Sequence, residues 1–216
     1  MAKSVAQLKR DAAGKRGRPR KTGGFKQDTR ERLVWCGMEM LTEKGYASTG
    51  IDEVLRMVGV PKGSFYHYFS SKEEFGLAVI EGYAVYFARK LDRWLLDETH
   101  APLDRLRDFV ADGARGVERF EFRRGCLIGN MGQELAGTRG AFREPLEAVF
   151  MDWQNRVQRC LEKARDAGEI AADADCSELA AFFWMGWEGA ILRSKLVHST
   201  DPIDLFADTF FKTIHR

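Results

Sequence analysis

Val60-Pro61-Lys62-Gly63-Ser64-Phe65-Tyr66-His67-Tyr68-Phe69, with Lys72 and Glu73 just beyond, is short, aromatic and basic, and lies between two segments of helical apolar spacing. A helix of about two turns carrying Lys, Ser, two Tyr and a His buries little apolar surface alone. It makes sense as an element held by its neighbours and presented outward, and the major groove of DNA accepts such a helix.

The flanks fit that reading. Asp28-Thr29 is predicted to cap a helix running to about Lys44, with Leu33, Val34, Met38 and Leu41 at helical spacing and Gly45 as its stop. Gly50-Ile51-Asp52-Glu53-Val54-Leu55 opens a shorter helix ended by Gly59, and Pro61 leads into a third near residues 62–68. Two short helices joined through a tight Gly-containing turn and buttressed by a longer one make a helix-turn-helix unit. From Ser70 or Ser71, either able to cap, a long helical pattern carries Phe75, Val79, Tyr83, Tyr86, Phe87, Leu91 and Trp94. Further helical patterns fall near 103–119, 127–136, 140–166, 176–198 and 203–214, with no convincing strand run or internal repeat, so the fold class is all-α.

Charge is unevenly placed along the 216 residues. The net charge is +2, yet residues 1–26 hold nine Lys/Arg against Asp11 alone, and residues 1–75 hold fifteen Lys/Arg against nine Asp/Glu. A basic front on a mildly acidic body suits a protein whose front meets phosphates, although a solubilising tail has the same charge. Residues 1–26, with Gly14, Gly17, Pro19, Gly23 and Gly24, are expected to form a disordered basic arm. Within it Arg16-Gly17-Arg18-Pro19-Arg20 resembles the core of an AT-hook, which would set Arg16, Arg18 and Arg20 along an A/T minor groove; the alternative is a merely basic tail.

No apolar run is long enough to cross a bilayer, no apolar stretch follows the basic start as in a secretory signal, and Cys36, Cys126, Cys160 and Cys176 show no metal-type spacing. The expectation is a cytoplasmic protein with reduced thiols, no metal, no cofactor and no membrane partner. The histidines (His67, His100, His198, His215) are scattered, none beside a cysteine with an acid, so nucleophilic catalysis is not expected.

Leu41-Thr42-Glu43-Lys44-Gly45-Tyr46, Ile51-Asp52-Glu53-Val54, the Val60–Phe69 stretch and Ser71-Lys72-Glu73-Glu74-Phe75 together resemble the TetR family of bacterial regulators across about residues 28–80. The resemblance implies a helix-turn-helix DNA-binding domain at 27–71 and a helical ligand-binding and dimerisation domain at 72–216. It also implies a homodimeric repressor reading a palindromic operator in double-stranded DNA. By motif position Lys62, Gly63, Ser64, Tyr66 and His67 would contact DNA. Gly63 would let the backbone approach closely, Tyr66 and His67 would reach phosphates, and Ser64 or Lys62 a base edge. Thr49 before the second helix and Lys72 at the start of the fourth would add phosphate contacts, while Phe65, Tyr68 and Phe69 face the module core.

Phe122-Arg123-Arg124-Gly125-Cys126-Leu127-Ile128-Gly129-Asn130-Met131-Gly132-Gln133-Glu134 and Phe183-Trp184-Met185-Gly186-Trp187-Glu188-Gly189-Ala190-Ile191-Leu192-Arg193-Ser194-Lys195 are similar to acrylate-responsive regulators of the AcuR type. The electrophile-sensing NemR type is more distantly similar. A small unsaturated acid such as acrylate is therefore the implied effector, with covalent modification of Cys126 by an electrophile or oxidant as the alternative switch.

Cys126 at a helix start beside Arg123 and Arg124 is expected to have a lowered pKa, or else to be an inert space-filler. Trp184, Glu188 and Lys195 share one face of a largely apolar helix. Lys195 would receive a carboxylate, stabilise a Cys126 thiolate as the NemR resemblance implies, or simply cap the helix. Glu188 would pair with Arg193, Arg124 or Arg123 unless it faces a ligand. Cys36 falls inside the first helix, Cys160 on a presumed dimer helix and Cys176 at the surface. Helices near 140–166 and 176–198 would form a four-helix bundle with their symmetry mates.

Overall fold

The chain's structure, a computed structural model, describes residues 23–214, with side chains described from Thr29 onward. Arg16, Arg18 and Arg20, and with them the minor-groove expectation, lie outside the described residues. The chain order is α1 (Gly23–Lys44), α2 (Ile51–Val58), α3 (Lys62–Tyr68), α4 (Lys72–Leu95), α5 (Pro102–Arg119), α6 (Leu127–Leu135), a 3-10 turn (Gly140–Phe142), α7 (Arg143–Asp166), α8 (Cys176–Val197) and α9 (Asp201–Ile214).

Helix ends follow from local chemistry. Gly59 closes α2 with φ +72, its N–H reaching the carbonyls of Leu55 and Arg56. Ser71 caps α4 by accepting from the Glu74 amide at 3.1 Å, and the Glu74 carboxylate reaches back to the Ser70 amide and hydroxyl. Asp175 caps α8 through the amides of Ser177 and Glu178, both at 3.0 Å. The first helix departs from expectation: α1 begins at Gly23, so Asp28 and Thr29 lie within it rather than at its cap.

One continuous core runs through the described residues, from Leu33 on α1 to Ile214 on α9. In the front module Phe65 packs against Phe69 and Phe75 at 5.4 Å each, which locks the short α3 in place. Behind it, Phe87, Phe109, Trp153, Phe183, Trp184 and Trp187 form a continuous aromatic stack joining α4, α5, α7 and α8. Close helix approach depends on missing side chains. A Cβ on Gly113 would meet the Trp187 ring at 2.3 Å, and one on Gly37 would meet Phe75 and Val79 at 2.6 Å.

Two thiols sit differently from expectation. Cys176 is 3 % exposed rather than a surface residue. Cys160 is also buried within its own chain, its Sγ 3.2 Å from the Pro102 carbonyl.

Candidate functional site

The outward face of α3 is built by subtraction. Phe65 and Phe69 are fully buried and Tyr68 is partly so, which leaves Lys62, Gly63, Tyr66 and His67 exposed and Ser64 half-buried. Tyr66 is 54 % exposed, a large apolar ring left in water by a helix that has room to bury others. A Cβ on Gly63 would meet nothing within 4 Å, so nothing inside the chain requires glycine there. Lys62 pairs with the exposed Asp52 at 3.0 Å, a solvent-screened contact that a phosphate can displace. Lys72 lies 4.6 Å from the Tyr46 ring centroid, and burial lowers its pKa. Thr49 is placed otherwise. It is 1 % exposed and its hydroxyl donates to the Gly45 carbonyl at 2.7 Å, so it shapes the α1–α2 turn instead of facing outward.

A cavity of about 220 Å³ lies behind this module, between α1, α4, α5, α8 and the start of α6. Its wall is aromatic, with Trp35, Tyr83, Phe87, Phe109 and Trp187, and its charged edge is Arg124, Lys90 and Glu39. Cys126 and Gly125 form the floor at the α6 N-terminus. Of the sequence-derived sensing residues, Cys126 lines the cavity, whereas Trp184, Glu188 and Lys195 do not. Lys195 lies over Gly125, its Cδ 3.0 Å from where a Cβ would sit. Glu188 is enclosed beside Cys126 and Trp184 packs against Phe87, Phe109 and Trp153, with Trp184 Nε1 and Glu188 Oε1 buried and without hydrogen-bond partners. The access loop is unusual: Glu121 and Phe122 are consecutive non-glycine residues with positive φ (53 and 58), just before the cavity floor.

The chemistry of Cys126 departs from the lowered pKa expected of it. The α6 amides of Gly129 and Ile128 do pull the thiol down, as a helix N-terminus should. Burial and the facing Glu188 carboxyl push harder, so Cys126 is raised well above the ordinary thiol range and stays protonated. Burial likewise raises Glu188 to about 7. The expected arginines are occupied elsewhere: Arg123 reaches Glu121 at 3.4 Å, while Arg124 reaches Glu43 at 3.2 Å and Glu39 at 3.6 Å. Glu188 has no arginine partner among the described residues.

Helix α6 ties this cavity to the DNA-facing module. At its start Cys126 forms the cavity floor and the N-cap. One turn on, the Asn130 side chain donates to the Thr42 carbonyl at 3.0 Å. Near its end the Glu134 carboxylate accepts the amides of Tyr46 at 2.7 Å and Ala47 at 2.5 Å. Those amides belong to the α1–α2 turn, where Gly45 (φ +83) has its carboxylate neighbour 2.8 Å from the site of a Cβ. A carboxylate gripping two backbone amides is a strong, directional hold. Sequence reasoning missed Glu134 and Asn130 as working residues and gave Arg124 to Cys126 or Glu188, because their observed partners lie some 80 to 90 positions away.

Comparison with known proteins agrees with this architecture. Residues 37–79 match the family described as "Bacterial regulatory proteins, tetR family", and residues 102–210 match "Tetracyclin repressor-like, C-terminal domain". The chain is 50% identical over 196 residues to the transcriptional regulator AcuR of Cereibacter sphaeroides, covering 91% of this chain and 89% of that protein. It is 27% identical to the HTH-type transcriptional repressor NemR of Escherichia coli K12, covering 82% and 89%. Among solved structures it is similar to the regulatory protein TetR from Rhodobacter sphaeroides, with TM-score 0.83, 49% identity and coverage of 86% and 98%. No helix among the described residues is long and apolar enough to cross a membrane. With a helix-turn-helix front, an outward α3 and a helical body, this chain belongs to the TetR family of DNA-binding transcriptional repressors, which are not enzymes.

Proposed function

We propose that this chain is a homodimeric repressor whose operator grip is released when a small unsaturated acid, acrylate first, enters the cavity floored by Cys126. The observation that carries this reading is the double role of Arg124. It lines the cavity, and it is also tied to Glu39 and Glu43 on α1 of the DNA-binding module. An effector carboxylate competes with those two glutamates for one guanidinium, so binding weakens a link that holds α1. The movement passes through α6 to the turn held by Glu134. A ligand shifts an equilibrium only by its differential affinity for the two states, and a competing carboxylate supplies such a difference. A coupling of about 1–3 kcal/mol corresponds to roughly 5- to 150-fold weaker operator binding.

The cavity is small enough to favour a short acid over a drug-sized molecule. Acrylate comes from the resemblance to acrylate-responsive regulators, which the 50% identity to AcuR supports. Dimerisation is assigned to α8 and α9. Phe182, Met185, Leu192 and Leu196 are exposed at spacings of three, seven and four along α8, and Leu205 stands out on α9. The α7 residues Trp153, Val157 and Leu161 are instead fully buried within the chain, so the bundle seam shifts from the expected α7–α8 pair.

A second reading, a thiol switch, is favoured by one fact: Cys126 is the cysteine that lines the cavity. Its protonated, buried state opposes it. Operator binding followed by fluorescence anisotropy separates the two in wild type and Cys126→Ser. Release by acrylate that dilution reverses, and that Cys126→Ser retains, is the expected result. Release abolished in Cys126→Ser would transfer the function to covalent chemistry.

A further inference from the structure

Glu188 is an acid placed where the fold asks for none. It stands on α8 between Trp187 and Gly189. The residue as a whole is half-buried, yet its carboxyl turns inward, with Oε1 out of water and unpartnered. A buried carboxyl with an idle oxygen is costly to keep. The helix it meets makes room for it. Its Oε2 lies against Gly129 on the first turn of α6, where any Cβ would collide with it. Three residues earlier the Cys126 thiol faces the same carboxyl and hydrogen bonds to it. Cys126 also lines the cavity, so one side chain touches both the cavity and this acid.

The groups around Glu188 bring no positive charge. Cys126 faces it from the start of α6 and Tyr83 from α4, and burial keeps both in their neutral forms. Rings make up the rest: Trp184 one turn earlier on α8, with Phe87, Phe109 and Trp153 packed on it from α4, α5 and α7. The cations near the cavity floor are placed elsewhere. Lys195 lies over Gly125, and Arg124 holds Glu39 and Glu43 of α1. Among the described residues no cation offsets the burial, which raises the carboxyl to about 7.

We propose that Glu188 sets the charge balance of the effector cavity: a carboxylate effector binds there with a proton on Glu188, so that binding draws a proton in from solvent. Two negative charges sharing one water-poor enclosure repel each other, and a proton on either removes the repulsion. A short acid such as acrylate is ionised throughout the neutral range, so Glu188 is the group that takes the proton. The sign of the pH dependence follows by linkage. The effector prefers the protonated protein, so affinity is full below pH 7 and falls as pH rises through it. Glu188 acts through charge and has no need to touch the effector, which makes it a positioning residue. The inference rests on the cavity taking a short carboxylate effector.

Acrylate is titrated by calorimetry into the full-length protein from pH 6 to 8, for wild type and Glu188→Gln. The expected wild-type result is an acrylate Kd that rises about tenfold between pH 6 and 8. In buffers of different ionisation enthalpy at pH 8, wild type takes up about one proton per acrylate bound. Glu188→Gln, which keeps the shape of the protonated carboxyl, takes up none and binds acrylate with a Kd that does not change with pH. A level wild-type Kd without proton uptake, or a pH dependence that Glu188→Gln retains, would overturn the proposal. Either result leaves the cavity reading standing, since acrylate still binds. Absence of acrylate binding at every pH rejects the cavity reading and this coupling with it. The wild-type proton count needs no variant, so a poorly folded Glu188→Gln protein does not blunt the test.

Discussion

Burial holds a proton on Glu188 that the unfolded chain gives up. The carboxyl is raised from 4.5 to about 7, because it is enclosed beside Cys126 with Oε1 unpartnered. A carboxyl raised on folding makes the folded state the stronger proton binder between those two values. Stability is therefore greatest below about pH 4.5 for this group and falls as pH rises through 7, by roughly 3 kcal/mol at the upper limit. Urea unfolding of wild type and Glu188→Gln across pH 5 to 8 checks this. The Gln variant should lack that decline and be the more stable of the two at pH 8; parallel pH profiles would show that Glu188 is solvated. The position of Cys126 at a helix start was legible from Gly125-Cys126 and the apolar run after it. Its chemistry was not, because the deciding neighbour, Glu188, arrives from a helix 62 residues later and the adjacent Arg124 turns to α1 instead.

Helices were the most legible level, since apolar spacing and caps are local. Ser71, Gly59 and Asp175 end or begin elements through bonds to residues no more than four positions away. The exception is the start of α1, where Gly23-Gly24 reads as linker although the helix runs through it. How elements approach one another was less legible, because a glycine in a helix shows its purpose only beside its neighbour. Gly113 on α5 is the clearest instance: the Trp187 ring of α8 occupies the space of its missing side chain and also lines the cavity. Gly113→Ala is expected to push Trp187 aside and cost about 1–3 kcal/mol, seen as a lower thermal midpoint. The acrylate midpoint should move with it, since the displaced ring reshapes the cavity wall. An unchanged thermal midpoint would mean that α5 and α8 separate freely at this point.

At the scale of the molecule one continuous core runs from the front module into the helical body, and a short rod adds a polar tie between them. Helix α6 spans about 12 Å from Cys126 to Glu134. Its two ends touch the cavity floored by Cys126 and the turn of the DNA-binding module. The α4 helix provides a second connection, since it begins beside α3 and lines the cavity through Tyr83, Tyr86 and Phe87. Family and domain order were legible from motifs in the first 80 residues. The tie between the cavity and the DNA-binding module was not, because it consists of side chain to backbone bonds such as Glu134 to Tyr46, which leave no periodic trace in sequence. On the proposed mechanism, cavity occupancy is felt by DNA through this rod. The most direct measurement is the operator Kd with and without saturating acrylate, for wild type and Glu134→Gln, with circular dichroism and light scattering confirming folded dimers. Gln keeps the length but loses the charge and one acceptor. Wild type should show the roughly 5- to 150-fold ratio, and Glu134→Gln a ratio distinctly closer to one. An identical ratio in the two proteins would contradict the claim and leave α4 as the route.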